Sequence, residues 1–163
     1  MKAIVIDRFG TPDVLRLEEV DTPVPADDQV LIRVRASAVN PYDWHYLTGL
    51  PRLFRPAFGV RRPKFRILGA DLAGQVEAVG QAVTGFRPGD EVYGQIAAGA
   101  FAEYAVAAEG QIAPKPANLT FEEAAAVPLA GFTALQAVRD QGKVQPGHRV
   151  LINGASGGVG TLA

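Results

Sequence analysis

The 163-residue sequence contains no cysteine. This absence excludes disulfide bonds, thiolate zinc sites and a cysteine nucleophile, and it fits a reducing compartment. An excess of one charge is also missing, because 16 lysine and arginine residues oppose 17 aspartate and glutamate residues. The resulting formal net charge of −1 argues against a general binder of polyanions.

Long apolar runs are missing from the chain as well. No stretch approaches the roughly 20 apolar residues that a membrane-spanning helix requires. At the start, MKAIVIDRFG reaches the charged Asp7 too soon for the apolar region of a signal peptide. We therefore expect a soluble, cytoplasmic protein without a membrane partner. Because 48% of the residues are apolar, a sizeable core is expected rather than disorder.

Residues 1–119 have the pattern of a β domain. In QVLIRVRASAV, the residues Val30, Ile32 and Val34 fall on one side of a two-residue period, which indicates a strand with one buried face. Proline and glycine turns separate further short segments of this kind, which are KAIVI, LRLEEV, DLAGQVEAV and FAEYAVA. Many short strands with frequent turns predict a compact barrel or sandwich.

The pattern becomes helical near Thr120. Thr120 and Glu123 form the signature of a capping box at a helix start. Pro128 is expected to interrupt this helix, and Gly142 offers a cap where the resumed helix ends. A strand over 148–153, a glycine loop and a new helix start are expected to follow. This order predicts the first part of a parallel α/β unit.

The glycine loop matches a dinucleotide-binding pattern. It reads as G-x-G-x-x-G with alanine in the first place, and its residues are Ala155, Ser156, Gly157, Gly158, Val159 and Gly160. Small residues let the chain turn tightly, let the backbone approach a pyrophosphate and let the helix pack on the strand. We predict that these six residues bind a cofactor, with a plain glycine turn as the alternative. The acidic residue that separates NAD from NADP would come roughly 20 positions later, outside this sequence.

With this loop in place, the whole chain resembles the N-terminal half of the medium-chain dehydrogenases/reductases, in their zinc-free quinone oxidoreductase-like branch. The segments that carry the resemblance occur in the family's order, and they are KAIVIDRFGTPDVLRLEEV, SAVNPYDWHYLTG, ILGADLAGQVEAVG, FRPGDEVYG, GAFAEYAV, KPANLTFEEAAAVPLAGFTALQAV and VLINGASGGVG. The resemblance implies a mainly β, GroES-like barrel over 1–119 that holds the substrate. It also implies that 120–163 is the first helix, strand and loop of a truncated Rossmann cofactor domain.

The resemblance further implies an activity. We expect the full-length protein to transfer hydride from NADPH, in preference to NADH, to a small-molecule quinone or α,β-unsaturated carbonyl, and to form a homodimer. Two alternatives stay open, a zinc-free NAD(P)-dependent alcohol dehydrogenase and a non-enzymatic binding module on the same fold. Residues 1–163 alone are expected to fold in their β part and to bind NADP(H) weakly or not at all.

The zinc enzymes of this superfamily use ligands that the sequence lacks. By the resemblance, Asn40 stands near the place of a zinc-binding cysteine, and Ala70-Asp71 replaces a His-Glu pair. Only five residues, 95–99, join the segments between which a four-cysteine zinc lobe would fall. Since zinc needs three or four ligands, we predict no metal site. Without this Lewis acid the substrate must already be a good hydride acceptor, as quinones and enones are.

The segment NPYDWHYLTG, residues 40–49, supplies the catalytic candidates. The resemblance places Asn40 beside the nicotinamide, while its position before a proline also suits a helix N-cap. Asp43, three residues later, fits the reciprocal place of a capping box. Tyr46 is predicted to present a catalytic hydroxyl to the substrate, with an ordinary half-buried tyrosine as the alternative.

Roles are also predicted for four other residues of the chain. By the resemblance, Thr133 lies near the nicotinamide end of the cofactor, and the alternative is a helical threonine that bonds back to the preceding turn. Tyr42 and Trp44 are predicted to be packing residues, and His45 to be exposed.

The segment RLFRPAFGVRRPKFR, residues 52–66, concentrates six basic side chains without an acid and interleaves three phenylalanines. Surfaces that bind single-stranded nucleic acid combine these residue types. The preferred interpretation is a solvated loop at the rim of the substrate cleft, with the phenylalanines packed beneath it, because the rest of the chain is slightly acidic. We therefore expect no nucleic-acid partner.

The missing zinc ligands lead to a direct test. We expect the purified protein to retain no stoichiometric metal after dialysis, because no cysteine is present and alanine stands at position 70. Elemental analysis measures this directly, and about one zinc per chain would contradict the prediction.

Overall fold

The structure is a computed structural model that describes residues 1–163, except for the side chain of Phe54. The strands are β1 (Lys2–Val5), β2 (Arg16–Glu19), β3 (Gln29–Ala36), β4 (Asp71–Val79), β5 (Glu91–Gln95), β6 (Tyr104–Ala108) and β7 (Ile112–Pro114). The α-helices are α1 (Pro41–Thr48), α2 (Arg55–Phe58), α3 (Phe121–Ala125) and α4 (Pro128–Leu135), and a π-helical turn (Gln136–Gln141) continues α4. None of the described helices has the length and apolarity to cross a membrane.

An antiparallel sheet carries the fold. Its strands run in the order β6-β3-β4-β5-β7, and every neighbouring pair is antiparallel. A two-stranded ribbon pairs β1 with β2, and single bridges join Ala3 to Ala102 and Val5 to Ile67. The predicted β domain is therefore confirmed.

Strand β3 shows how the alternating sequence pattern is realised. Val30 and Ile32 are fully buried, and Arg33 and Arg35 are exposed. Leu31 is also buried, so the solvent-facing side of the strand begins only at Arg33. The register with β4 shifts by one residue after Leu31, which marks a bulge in the middle of the sheet.

Three apolar clusters fix the elements against one another. The largest is formed by the sheet and its connections, and it contains Val30, Ile32, Leu72, Val76, Val92, Ile96, Ala100, Ala105, Ala107 and Ile112. The second joins α1 to the chain after β1, and it contains Ile6, Val14, Tyr46, Leu47 and Leu68. The third packs α3 on β4 through Ala73, Ala124 and Ala125. These alanines let α3 approach the sheet closely, and the start of α4 is therefore held near β4.

The helical segment after the sheet confirms most of the local signals. The hydroxyl of Thr120 accepts the N–H of Glu123 at 3.2 Å, and the Glu123 carboxylate accepts the N–H of Thr120 at 2.9 Å. Helix α3 ends before Pro128, which begins α4 as the predicted interruption. Gly142 is the C-cap of the π-helical turn that continues α4, as predicted, but its own φ is −73° and the left-handed φ of 46° falls on Lys143.

The predicted strand over 148–153 is wrong. These residues are turn or coil, and Leu151 is 94% exposed. A parallel strand forms only beside strands that satisfy its N–H and C=O groups. No described strand lies beside this segment. The helix start expected from Val159 is a turn, in which the N–H of Thr161 donates to the carbonyl of Gly157 at 2.9 Å.

The core assignment can be tested with two leucines. We expect Leu72→Ala to lower the free energy of unfolding by about 2–5 kcal/mol, because Leu72 is fully buried in the sheet cluster. Leu17→Ala is the matched control, since Leu17 is 66% exposed and its loss should cost under about 0.5 kcal/mol. Urea unfolding measures both changes, and equal losses would contradict the described packing.

Candidate functional site

A largely apolar cavity of about 700 Å³ lies between the β domain and the segment that follows residue 120. One wall is the start of α1 and the second is α4, while residues 150–160 supply the third. The predicted residues that line this cavity are Asn40, Thr133, Gly157, Gly158, Val159 and Gly160. In the described structure, the other predicted residues, Tyr46, Ala155 and Ser156, do not line it.

Asn40 is held by two carboxylates. Its backbone N–H donates to Oδ2 of Asp43 at 2.8 Å, and its side-chain Nδ2 donates to Oδ2 of Asp71 at 3.0 Å. The first bond confirms the capping role predicted for Asp43, since α1 begins at the next residue, Pro41. Asn40 is therefore both the residue before the helix and a cavity residue, and its amide is oriented by Asp71.

Asp71 is the residue of this region whose role sequence analysis missed. Its side chain is fully buried, and its two carboxylate oxygens accept the backbone N–H of Leu129 at 3.0 and 3.2 Å. Leu129 is the second residue of α4, so the carboxylate lies at the positive end of that helix. The sequence does hold a signal for this role, because Asp71 is the one acid in the otherwise apolar segment GADLAG. The comparison with zinc enzymes considers this acid only as a possible metal ligand.

The carboxyl groups beside Asn40 have shifted pKa values. Burial raises the pKa of Asp71 from an ordinary 3.8 to about 6, against the opposing effects of the Leu129 N–H and the Asn40 amide. The negative charge of Asp43 adds to this rise. Burial likewise raises the pKa of Asp43, although backbone N–H groups oppose the rise. Two weakly hydrated carboxyl groups therefore support one residue of the cavity wall.

The prediction that Tyr46 presents a hydroxyl to the substrate is wrong in this structure. Tyr46 is 1% exposed, and its hydroxyl accepts the backbone N–H of Phe65 at 2.5 Å. Its ring lies 5.0 Å from that of Phe58 and 6.0 Å from that of Phe65, between ring centroids. Helix α1 turns this residue toward the apolar cluster under β1, so Tyr46 is a packing residue.

Tyr42, one helical turn earlier, is the tyrosine that lines the cavity. Its hydroxyl donates to the carbonyl of Ala97 at 3.0 Å, and burial raises its pKa.

Trp44 is 47% exposed, which contradicts its predicted packing role. His45 is exposed as predicted, and its Nδ1 lies 2.9 Å from the carbonyl oxygen of Leu50.

Both interpretations of Thr133 agree with its geometry. Its hydroxyl donates to the carbonyl of Leu129 at 2.7 Å, which is the bond to the preceding helical turn. The same side chain is exposed and lines the cavity. Thr133 and Asp71 thus contact the same residue, Leu129, through its carbonyl and its N–H respectively.

The glycine loop makes a tight turn that only small residues permit. Gly154 has the left-handed φ of 75°, and its carbonyl accepts the N–H of Gly157 at 2.9 Å. A Cβ atom on Gly160 would lie 2.3 Å from that same carbonyl oxygen, so a side chain there would break the turn. A Cβ atom on Gly158 would meet only Ala130, at 4.0 Å, and that side of the loop is open.

This loop fits the phosphates of a dinucleotide. In the described structure the N–H groups of Ser156, Gly158, Val159 and Gly160 donate to no protein acceptor. All four residues lie at or near the surface, and three of them border the cavity. Unpaired backbone N–H groups next to glycines without side chains are the donors that bind pyrophosphate groups in proteins.

Comparison with known proteins identifies the family. The alcohol dehydrogenase GroES-like domain matches residues 26–117, and the chain belongs to this family. A quinone oxidoreductase from Lama guanicoe is 39% identical over 166 residues, an alignment that covers 100% of this chain and 48% of that protein. The chain spans about half the length of the curated relatives it matches.

Solved structures agree with this assignment. The quinone oxidoreductase from Coxiella burnetii matches with a TM-score of 0.86 and 37% identity, covering 99% of this chain and 51% of that chain. The Escherichia coli quinone oxidoreductase complexed with NADPH matches with a TM-score of 0.84 and 29% identity, covering 98% and 47%. The predicted GroES-like fold and the resemblance to medium-chain dehydrogenases/reductases are confirmed.

The raised pKa of the Asp71 carboxyl group leads to a prediction about stability. Because its folded pKa lies near 6 and its ordinary value is 3.8, the folded state binds the proton more tightly than the unfolded state. The contribution of Asp71 to stability should therefore be fully present below about pH 4 and should be lost as the pH rises through about 6. Asp71→Asn removes this titration, so the variant should gain stability relative to the wild type over that interval, by roughly 1–3 kcal/mol.

Urea unfolding at several pH values between 4 and 7 measures this difference. Asp21→Asn is the control, because it makes the same substitution at an exposed side chain outside the site. A constant difference between Asp71→Asn and the wild type across the interval would contradict the prediction.

Proposed function

We propose that the full-length protein is a reductase that transfers hydride from NADPH to quinones or α,β-unsaturated carbonyls without zinc. The observation that carries this proposal is the shared cavity, which brings Asn40 of the β domain together with Thr133 and the glycine loop. The names of the quinone oxidoreductase relatives support the reaction class. The NADPH complex of the Escherichia coli relative supports the choice of cofactor.

In this proposal the chain binds the cofactor at two places. The unpaired N–H groups of Gly158 and Gly160 would hold the pyrophosphate, and Asn40 and Thr133 would face the nicotinamide end. When bound, the nicotinamide supplies the hydride that the substrate accepts.

The role of Asn40 follows from its hydrogen bonds. Its side-chain Nδ2 donates to Asp71 at 3.0 Å and lies 3.5 Å from the carbonyl oxygen of Ala38. Its donor group is therefore already engaged, and we assign Asn40 to positioning rather than to stabilising charge on the substrate oxygen.

Charge that develops on the substrate oxygen needs another donor. Tyr42 has a hydroxyl at the cavity, and it would serve by exchanging its bond to the Ala97 carbonyl for one to the substrate. Solvent water is the other available donor, because the cavity is open. This assignment replaces Tyr46, whose hydroxyl is buried under Phe65.

No group of three or more histidine, aspartate or glutamate side chains that could hold a metal occurs among the described residues. The zinc-free reaction stays a prediction, and its chemistry requires a substrate that accepts hydride without a Lewis acid. Quinones and enones meet this requirement because their reduction places charge on a conjugated oxygen.

The proposed activity is tested with the full-length gene product. We expect oxidation of NADPH in the presence of quinones or alkenals, with unchanged rates when a strong zinc chelator is added. Turnover of alcohols and saturated aldehydes alone would favour the alcohol dehydrogenase alternative. No turnover with any member of this panel would favour the binding module.

The glycine loop is tested with Gly157→Val. A Cβ atom at this position would lie 3.3 Å from the carbonyl oxygen of Gly154, so the backbone can adjust by a few tenths of an ångström. The rest of the valine side chain would fill space that the pyrophosphate needs. We expect NADPH affinity to fall at least a hundredfold while the thermal unfolding of the β domain is unchanged.

Gly110→Val is the control for this variant, since a Cβ atom there meets nothing within 4 Å. Fluorescence titration with NADPH measures both affinities. Unchanged affinity in Gly157→Val would show that the loop is placed wrongly.

A further inference from the structure

A second cavity, of about 690 Å³, lies between the end of β1, the turn before β2 and the loop 61–66. We call it the arginine cavity. Its charged lining residues are Asp7, Arg8, Asp13, Arg16, Arg61, Arg62 and Arg66. It shares no lining residue with the cavity that contains Asn40, so it is a separate site.

Two of the five arginines are neutralised by acids. Arg66 donates to Asp7 at 2.8 Å and to Glu18 at 2.7 Å, and Arg16 pairs with the same two acids. The hydrogen bond from Arg66 is the largest cause that lowers the pKa of Asp7. Each of the two arginines, Arg16 and Arg66, thus pairs with both acids, Asp7 and Glu18. This network of four residues fixes one wall of the arginine cavity.

The other three arginines, Arg8, Arg61 and Arg62, form no ion pair with an acid, although the charge of Arg8 adds to the Thr11 hydrogen bond in lowering the pKa of Asp13. In the described structure none of them makes a hydrogen bond or an ion pair, and all three are exposed. The remaining acid, Asp13, accepts a hydrogen bond from the Thr11 hydroxyl. The five arginines outnumber the three acids Asp7, Asp13 and Glu18, so the cavity carries a surplus of about two positive charges.

The floor of the arginine cavity is apolar. Ile6 is 1% exposed and Val14 is 9% exposed, and Pro63 also lines the space. A volume of about 690 Å³ falls within the range of small-molecule sites. A ligand that fits this lining has an organic part against the floor and negative charges at the rim.

We propose that the arginine cavity binds a small organic molecule that carries phosphate groups, with Arg8, Arg61 and Arg62 receiving its charges. A guanidinium group presents paired donors that match phosphate oxygens, and the bond gains strength from both charges. This proposal does not depend on the reductase activity.

The neighbouring phenylalanines favour a small molecule over a nucleic-acid strand. Single-stranded nucleic acid needs exposed aromatic rings on which bases stack. Phe58 and Phe65 pack instead against the cluster that contains Tyr46. The basic segment therefore offers cations at a cavity, without a described stacking surface beside them.

Calorimetric titration of the full-length gene product with inorganic pyrophosphate, at physiological ionic strength, tests the proposal. We expect saturable binding of one pyrophosphate that weakens at least tenfold in Arg61→Gln/Arg62→Gln and likewise in Arg8→Gln. Arg35→Gln/Arg52→Gln is the control, because it removes the same charge from two exposed arginines outside the cavity and should leave the affinity unchanged. Thermal unfolding checks that every variant is folded.

The absence of saturable binding, or an equal loss in the control variant, would overturn the proposal. Citrate affinity equal to that of pyrophosphate, or tighter binding of single-stranded oligothymidine through the same arginines, would overturn it too. A pyrophosphate affinity that falls in Gly157→Val and not in Arg61→Gln/Arg62→Gln would place the anion on the glycine loop and would also overturn it.

Discussion

The buried carboxylate of Asp71 is the constraint on which the candidate site depends. It projects from β4 and is reached by the side chain of Asn40, before α1, and by the backbone of Leu129, at the start of α4. A buried carboxylate is tolerated only when such donors compensate for its lost hydration. Three elements that are distant in sequence are therefore fixed around one group. Asn40 and Thr133 face the same cavity because both are tied to this arrangement.

Small side chains make that arrangement possible. Ala73 of β4 packs against Ala124 and Ala125 of α3, which brings the helical segment close to the sheet. Larger residues there would move Leu129 away from Asp71, since the two are joined at only 3.0 Å. The energetic cost of holding a charge in this position appears as the raised pKa of Asp71. The packing of the third cluster therefore sets the distance between Leu129 and Asp71, and with it the electrostatics of the site.

Features that depend on neighbouring residues could be predicted from the sequence. The capping box at Thr120 and the interruption at Pro128 each involve groups within one helical turn. The choice between Tyr42 and Tyr46 could not be made, because residues four apart share a helix face and only the packing of α1 decides which is buried. The prediction of a strand over 148–153 was wrong because a strand forms only beside partner strands. The role of Asp71 depends on contacts with residues 31 and 58 positions away.

The two cavities, as proposed, would bind negative charge with different kinds of donor. Around Gly158 the donors are backbone N–H groups, which carry partial charges and need glycine so that a ligand can approach. Around Arg61 and Arg62 the donors are full charges on side chains, over an apolar floor. Composition alone does not separate these cases, because Arg55 and Lys64 of the same basic segment lie against the rings of Phe9 and Phe65. Only the arginine and lysine side chains that pair with no acid and lie on no aromatic ring are available to a ligand, and the fold determines which side chains these are.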